Sequence, residues 1–253
     1  MQLLRDTMLI FRRHVGKRLR HPAWLVFGML QPILYLSFFG PLVDKVSSAP
    51  GFPQGSGWQV YVPGLLVQLA LFGTTFAGFG LIGEWRMGIL ERMRVTPVSR
   101  MALLLGRVLN DALAAVVQAA ILVTVSVAFG LRAPILGVLI GLGFVLLLTV
   151  SVASFSYSAA LMTKSEDAYA PLLSAISLPL LLLSGILLPL TLAPGWLDTL
   201  SRANPFRYIV DAMREAFLGN YTSTTILVGG GVAIVLAAGA VAVGTRTFRN
   251  ENA

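Results

Sequence analysis
Apolar positions along this chain fall into long unbroken blocks, with the charged residues gathered between them. Six stretches contain no Asp, Glu, Lys or Arg: 22–43, 46–83, 112–131, 133–163, 168–197 and 216–245. A helix needs about 20 mainly apolar residues to cross a bilayer, and each stretch is long enough. The pattern predicts an all-α polytopic membrane protein, one transmembrane domain over residues 1–253. Its six spans are expected at 24–43, 61–83, 108–130, 135–162, 168–188 and 223–245.

The segments between the blocks have patterns of their own. Over residues 1–21, Leu4, Met8, Phe11, Val15 and Leu19 recur every three or four positions, so they share one helical face. Arg5, Arg12, Arg13, Lys17, Arg18 and Arg20 fill much of the remainder. This predicts an amphipathic helix lying in the membrane interface, cations toward anionic headgroups; a plain basic flank that fixes topology is the alternative. Gln31-Pro32 marks an expected kink in the first span, because proline removes a backbone donor. Pro50, Gly51, Pro53, Gly55 and Gly57 make a loop before the second span.

Residues 189–220 read as a helical hairpin that dips into the membrane from outside without crossing it. Its second arm has Asn204 as N-cap, Pro205 as first helical residue and Gly219 as terminator. The fourteen residues between Asn204 and Gly219 span about 21 Å, too short for a hydrocarbon core of about 30 Å. Phe206, Ile209, Val210, Met213 and Phe217 share one face, while Arg207, Asp211, Arg214 and Glu215 mark a face expected to stay wet. Trp196 and Tyr208 would anchor the hairpin at the outer headgroup level.

Composition agrees with the pattern. Hydrophobic residues make up 56%, charged residues 12%, and mean hydropathy is +0.80; soluble domains carry about 25% charged residues, so a soluble enzyme is excluded. The absence of cysteine removes disulfide frameworks and thiolate metal sites. The net charge of +8 would suggest nucleic acid in a soluble chain; here it bears on orientation. Fourteen Lys and Arg fall on the side of the N-terminal stretch, 84–107, Lys164 and residues 246–249, against five on the other. That asymmetry places both termini in the cytoplasm, with no nucleic-acid partner.

Catalytic constellations are missing. The two histidines, His14 and His21, both lie in the basic N-terminal stretch, and Gly16-Lys17 lacks the upstream glycine of a phosphate-binding loop. No metal site and no cofactor are expected. Arg107 and Asp111, four apart, could pair on one helix face as an interfacial anchor. Within the spans the polar groups are weak. Gln31, Gln68, Gln118, Ser151, Ser154, Tyr157 and Ser158 are candidates for lining a pathway, suited to an amphipathic or apolar cargo. Close helix packing is the alternative role for the serines and for Gly137 and Gly141.

The stretch from Gly83 to Arg100 is the most informative. Ile89 and Met93 make an apolar strip within Glu84, Arg86, Glu91, Arg92 and Arg94, and Pro97 stops the helix. It resembles the acid-x-x-x-Gly-x-x-Glu-x-x-x-x-Thr-Pro-x-x-Arg segment of permease subunits in the type-2 ABC exporter family, the daunorubicin-resistance permeases in particular. Gln31-Pro32-Ile33-Leu34-Tyr35-Leu36-Ser37-Phe38-Phe39-Gly40 is similar to that family's first span. Pro194-Gly195-Trp196-Leu197, Asn204-Pro205-Phe206-Arg207-Tyr208 and Asp211-Ala212-Met213-Arg214 are similar to its outer segment. One departure is Ile89, where the family often has threonine.

The resemblance implies an exporter in the bacterial inner membrane, its cargo an amphipathic or hydrophobic compound: a drug or antibiotic, a lipid or a glycan-lipid. It implies two permease copies, a homodimer by expectation, in contact with lipid, and two copies of a separate ABC ATPase subunit that binds the ATP and Mg. Residues 84–100 would be the coupling helix, with Glu84, Arg86, Gly88, Glu91, Arg92, Thr96 and Pro97 as its functional positions. Glu91 and Arg92 would touch the ATPase, and Glu84 and Arg86 would hold the segment against spans two and three. Lys164, Glu166 and Asp167 would be a second cytoplasmic contact. Pro194, Trp196, Asn204, Pro205, Tyr208, Asp211 and Arg214 would form an outer gate, or a cap over helix ends. Two other readings stay open: a channel or secondary carrier working without ATP, and a membrane scaffold without cargo.

Overall fold
The computed structural model describes residues 2–20, 23–48, 52, 55–88, 99–187 and 189–250. Among the described residues every regular element is helical: α1 (Gln2–Leu19), α2 (Ala23–Val46), α3 (Gly57–Thr75), α4 (Gly78–Arg86), α5 (Arg100–Ala128), α6 (Ile135–Thr163), α7 (Glu166–Leu182), α8 (Gly195–Ser201), α9 (Pro205–Leu218) and α10 (Thr224–Asn250). A short 3-10 turn, Leu190–Leu192, precedes α8.

α3 and α5 start where side chains satisfy their free N–H groups. Ser56 and Gln59 exchange bonds in a capping box at α3, Gln59 N to Ser56 Oγ at 3.3 Å and Ser56 N to Gln59 Oε1 at 3.0 Å. Ser99 accepts from Ala102 N at 3.1 Å at α5. α6 is central, packed against α3, α4, α5, α7, α9 and α10, while α3 is buried along nearly its whole length. The exposed side chains of α2 and α10 are largely apolar, among them Phe27, Leu30, Phe38, Leu227, Ile234 and Val235.

Five segments are long and apolar enough to cross a membrane: Ala23–Val46, Gly57–Arg86, Met101–Ala128, Ile135–Thr163 and Thr224–Arg249. The expected fifth span, 168–188, is shorter: α7 has 17 residues. Pro179 lies inside it, and the chain turns at Ser184–Gly185, where Gly185 takes φ 74° and Ser184 Oγ bonds Leu181 O at 2.7 Å. Two other boundaries move. The second span begins at Gly57 and breaks at Phe76–Ala77. The third begins at Arg100, so Arg107 lies two turns inside a helix. α2 runs on through both Pro32 and Pro41.

Candidate functional site
Charge collects where α1, α4, α5 and the start of α7 meet. Glu84, at the end of α4, accepts a hydrogen bond from Arg107 and stands 3.8 Å from Lys17 Nζ. Arg18 donates to Asp111 Oδ1 at 2.8 Å and to the Asn110 carbonyl at 3.1 Å, with its guanidinium 5.0 Å from the Trp24 ring. Tyr157 of α6 donates to the other oxygen of Asp111. Arg107 and Asp111 therefore do not pair with each other, contrary to their spacing: Arg107 turns toward α4 and Asp111 toward α1 and α6. The offset arises because each finds a partner from a neighbouring helix, whereas an intrahelical pair contributes only about 0.2–0.5 kcal/mol. A cleft of about 320 Å³ opens among these groups, lined by His14, Arg18, Glu84, Arg107, Asn110 and Asp111.

Burial, with Arg107 beside it, holds the His14 imidazole down at about 4. It is neutral at physiological pH. A base whose folded value lies below its ordinary 6.5 stabilises fully above 6.5 and loses that contribution as pH falls toward 4, because the unfolded chain takes up the proton first. The melting midpoint of the purified protein is expected to fall between pH 6.5 and 4.5, and to fall less steeply in His14→Gln. Parallel curves for the two proteins would contradict this.

The two expected cytoplasmic contacts are joined. Arg86 Nη1 lies 3.2 Å from Glu166 Oε1, a half-exposed pair that ties the end of α4 to the first turn of α7. Glu166 and Asp167 both sit in that first turn, where carboxylates favour the helix dipole. Lys164 closes α6 in the left-handed region at φ 50°. Gly88, at φ 66°, lets the chain leave α4 in a conformation that side chains resist. Glu91, Arg92, Thr96 and Pro97 lie outside the described residues.

Sequence reasoning missed the break between α3 and α4. The carbonyl of Thr75 and the N–H of Gly78 have lost their helical partners, and two hydroxyls replace them. Gly78 N donates to Ser156 Oγ at 3.0 Å and Tyr169 Oη at 3.1 Å; Thr75 O accepts from the same pair at 2.9 and 3.1 Å. The hydroxyls themselves are 2.7 Å apart. Side-chain hydroxyls are one of the few ways to re-satisfy a broken backbone at membrane depth. A Cβ at residue 78 would run into the Tyr169 ring and Ala160. The only signal for the break was the Thr74-Thr75-x-x-Gly78 order, with no partner visible nearby in sequence.

At the opposite end, Asn204 Oδ1 accepts from Phe206 N at 3.0 Å, Pro205 opens α9, and Gly219 closes it at φ 87°. Phe206, Ile209, Val210, Met213 and Phe217 are all buried. Gly137 lets α6 approach the Ala216 carbonyl and Gly141 faces the Phe217 ring. Arg214 overturns the wet-face expectation: it is 7% exposed. It donates from Nε to Val60 O at 3.1 Å and from Nη2 to Gly185 O at 2.7 Å, with Asp211 3.5 Å away. Burial pulls its pKa down to about 10, so it remains charged. The cause is geometric: the turn after α7 folds under α9 and presents a carbonyl there. Asp198, between Arg202 and Arg207 at 2.8 and 2.7 Å, ties α8 to α9; hydrogen bonds from the two arginines hold its carboxyl below the usual range. Tyr208 Oη bonds Arg202 O at 3.0 Å, Pro194 caps α8, and Trp196 is exposed.

The pathway candidates are not gathered in one place within this chain. Ser151 lines an apolar cavity of about 450 Å³. Ser154 and Ser158 face Gly244 of α10, and Tyr157 holds Asp111. Gln68 is buried in α3 and Gln118 lies against Gly28 of α2, whereas Gln31 is exposed on α2.

A family model described as ABC-2 type transporter matches residues 5–218. The chain belongs to the ABC-2 type transporter family. The permease is 30% identical over 244 residues to a daunorubicin resistance ABC transporter permease protein, DrrB1, of Streptomyces coeruleorubidus, covering 92% of this chain and 82% of that one. It is 28% identical over 222 residues to a putative transport permease, ycf38, of Cyanophora paradoxa, covering 87% and 76%. A probable doxorubicin resistance permease, DrrC, of Mycobacterium tuberculosis matches at 24% over 218 residues, covering 85% and 77%. This is therefore a multi-pass membrane transport permease of ABC type, in a family that includes drug-resistance permeases.

Proposed function
We propose that this permease is the membrane subunit of an ATP-driven exporter of amphipathic or hydrophobic compounds, paired two-fold with a second copy. It works with two copies of a separate ATPase that bind the ATP and Mg. Six spans cross the bacterial inner membrane, α7 and the turn after it serving as the short fifth, with both termini cytoplasmic. The outward stripe Leu4, Met8, Leu9 and Leu19 of α1 lies in the inner leaflet. The re-entrant hairpin α8–α9 stands at the outer end, over the exit or over the helix ends.

The observation that carries this reading is the ion-paired platform at one end of the bundle. Lys17–Glu84–Arg107 and Arg86–Glu166 join α1, α4, α5 and α7 around the point where the chain enters 89–98, so a push on either cytoplasmic loop reaches four helices.

The exposed Arg86–Glu166 pair is worth about 0–1 kcal/mol to stability, so its reversal tests coupling and not folding. Arg86→Glu, co-expressed with the ATPase, is expected to insert normally yet export poorly per ATP hydrolysed. Adding Glu166→Arg should restore much of the ratio. Wild-type coupling in the single variant, or transport by the purified permease alone down a gradient, would remove the reading.

A further inference from the structure
The permease contains a cavity that the platform does not use. It lies between α3, α6, α7, α9 and α10, and holds about 450 Å³, within the range of about 300–1,000 Å³ typical of small-molecule pockets. α7 packs on α3, α4 and α6 but not closely on α10, so the space opens sideways between those two helices. On the α10 wall stands Gly239, where a Cβ would meet no atom within 4 Å. Chain could fill this gap and does not.

Its lining contains no ionisable side chain. A charged occupant would leave water for a low-dielectric site with no countercharge, which is strongly unfavourable. The polar groups are hydroxyls, and most are already engaged: Ser151 donates to Leu147 O at 2.9 Å, and Thr75 to Leu71 O at 2.6 Å. Ser156 serves the helix break. Ser177 is different. It is 8% exposed, lines the cavity, and has no hydrogen-bond partner among the described residues. Its hydroxyl faces the open space and is free to donate to or accept from an occupant.

We propose that this cavity binds an uncharged, mainly apolar small molecule with one hydrogen-bonding group placed against Ser177. An acyl chain would fill the apolar space but leave Ser177 unmatched. The occupant also lies against Thr75 and Ser156, and so against the break between α3 and α4. As the cargo chamber the site rests on the export reading above; as a binding site it does not.

The test uses the full chain in lipid nanodiscs and a neutral photoreactive alcohol, 3-trifluoromethyl-3-(4-hydroxymethylphenyl)diazirine. Labelling of 173–180 and 235–243 is expected to saturate with probe concentration, while labelling at exposed Leu227 and Val228 rises linearly. Gly239→Leu should abolish the saturable part and leave the linear part, which also reports that the variant is folded. Ser177→Ala should weaken apparent affinity roughly fivefold, the equivalent of one hydrogen bond, and should not alter labelling by the corresponding toluene probe. Linear labelling at both surfaces means the gap holds lipid only and overturns the proposal, as does saturable labelling that survives Gly239→Leu. Neither arm requires ATP or export: a saturable site in a chain that does not export leaves this inference standing and removes only the export reading.

Discussion

Arg214→Met is expected to destabilise the permease more than any other single change at its outer end. The guanidinium satisfies the carbonyls of Val60 and Gly185 and faces Asp211. Methionine keeps the volume but strands two carbonyls and leaves Asp211 with Arg207 3.8 Å away as its remaining ion pair. Stranding two buried carbonyls costs roughly 1–3 kcal/mol each, a drop on the order of 10 °C in melting midpoint for a chain of this size. Arg214→Lys should recover only part, because an ammonium is a point donor and cannot reach two carbonyls and a carboxylate in the fork geometry of arginine. An unchanged midpoint in Arg214→Met would show that the hairpin is held by its apolar face alone.

Arg107→Met is expected to cost a similar roughly 3–5 kcal/mol at the cytoplasmic end. Arg107 is 4% exposed and bonds Glu84; without it Glu84 keeps, among the described residues, only Lys17 at 3.8 Å as an ion-pair partner. The exchange Glu84→Arg with Arg107→Glu should recover part of the loss, whereas Arg107→Met with Asp111→Asn should not recover it, since Asp111 belongs to Arg18 and Tyr157. Thermal melting of the three proteins decides between the observed pairing and one within α5. Additive losses from Arg107→Met and Glu84→Gln would count against the observed pairing, because residues in contact couple.

What was legible in the sequence followed from local rules. Charge-free blocks gave the apolar helices, and Asn204, Pro205 and Gly219 gave both ends of α9, because capping chemistry involves residues within a few positions of each other. The apolar face of α9 was legible for the same reason. What escaped depended on distant partners. Arg214 looked like a surface cation because its two carbonyls come from residues 154 and 29 positions away. Arg107 and Asp111 looked like each other's partners until α1 and α4 supplied better ones. The fifth span read too long because an apolar run has the same composition in a helix as in the turn that Gly185 makes after it. Of the coupling segment, Glu84, Arg86 and Gly88 can be placed, and they sit at the junction of the two loops that the family resemblance singled out.

The break at Phe76–Ala77 gives α4 a mechanical character. Its nine residues make an arm of about 13 Å, so a tilt of about 10° at the break carries the Arg86 end through about 2 Å at that same rise per residue. An intact helix resists such bending, since its backbone bonds lengthen together. Here the severed groups bond to Ser156 and Tyr169, whose hydroxyls rotate about single bonds and can exchange donor and acceptor roles. The joint is therefore expected to act as a lubricated bearing, the arm swinging while Thr75 and Gly78 keep partners. Its socket is built from α6 and α7, so a movement that begins at Arg86–Glu166 turns the arm and its mount together.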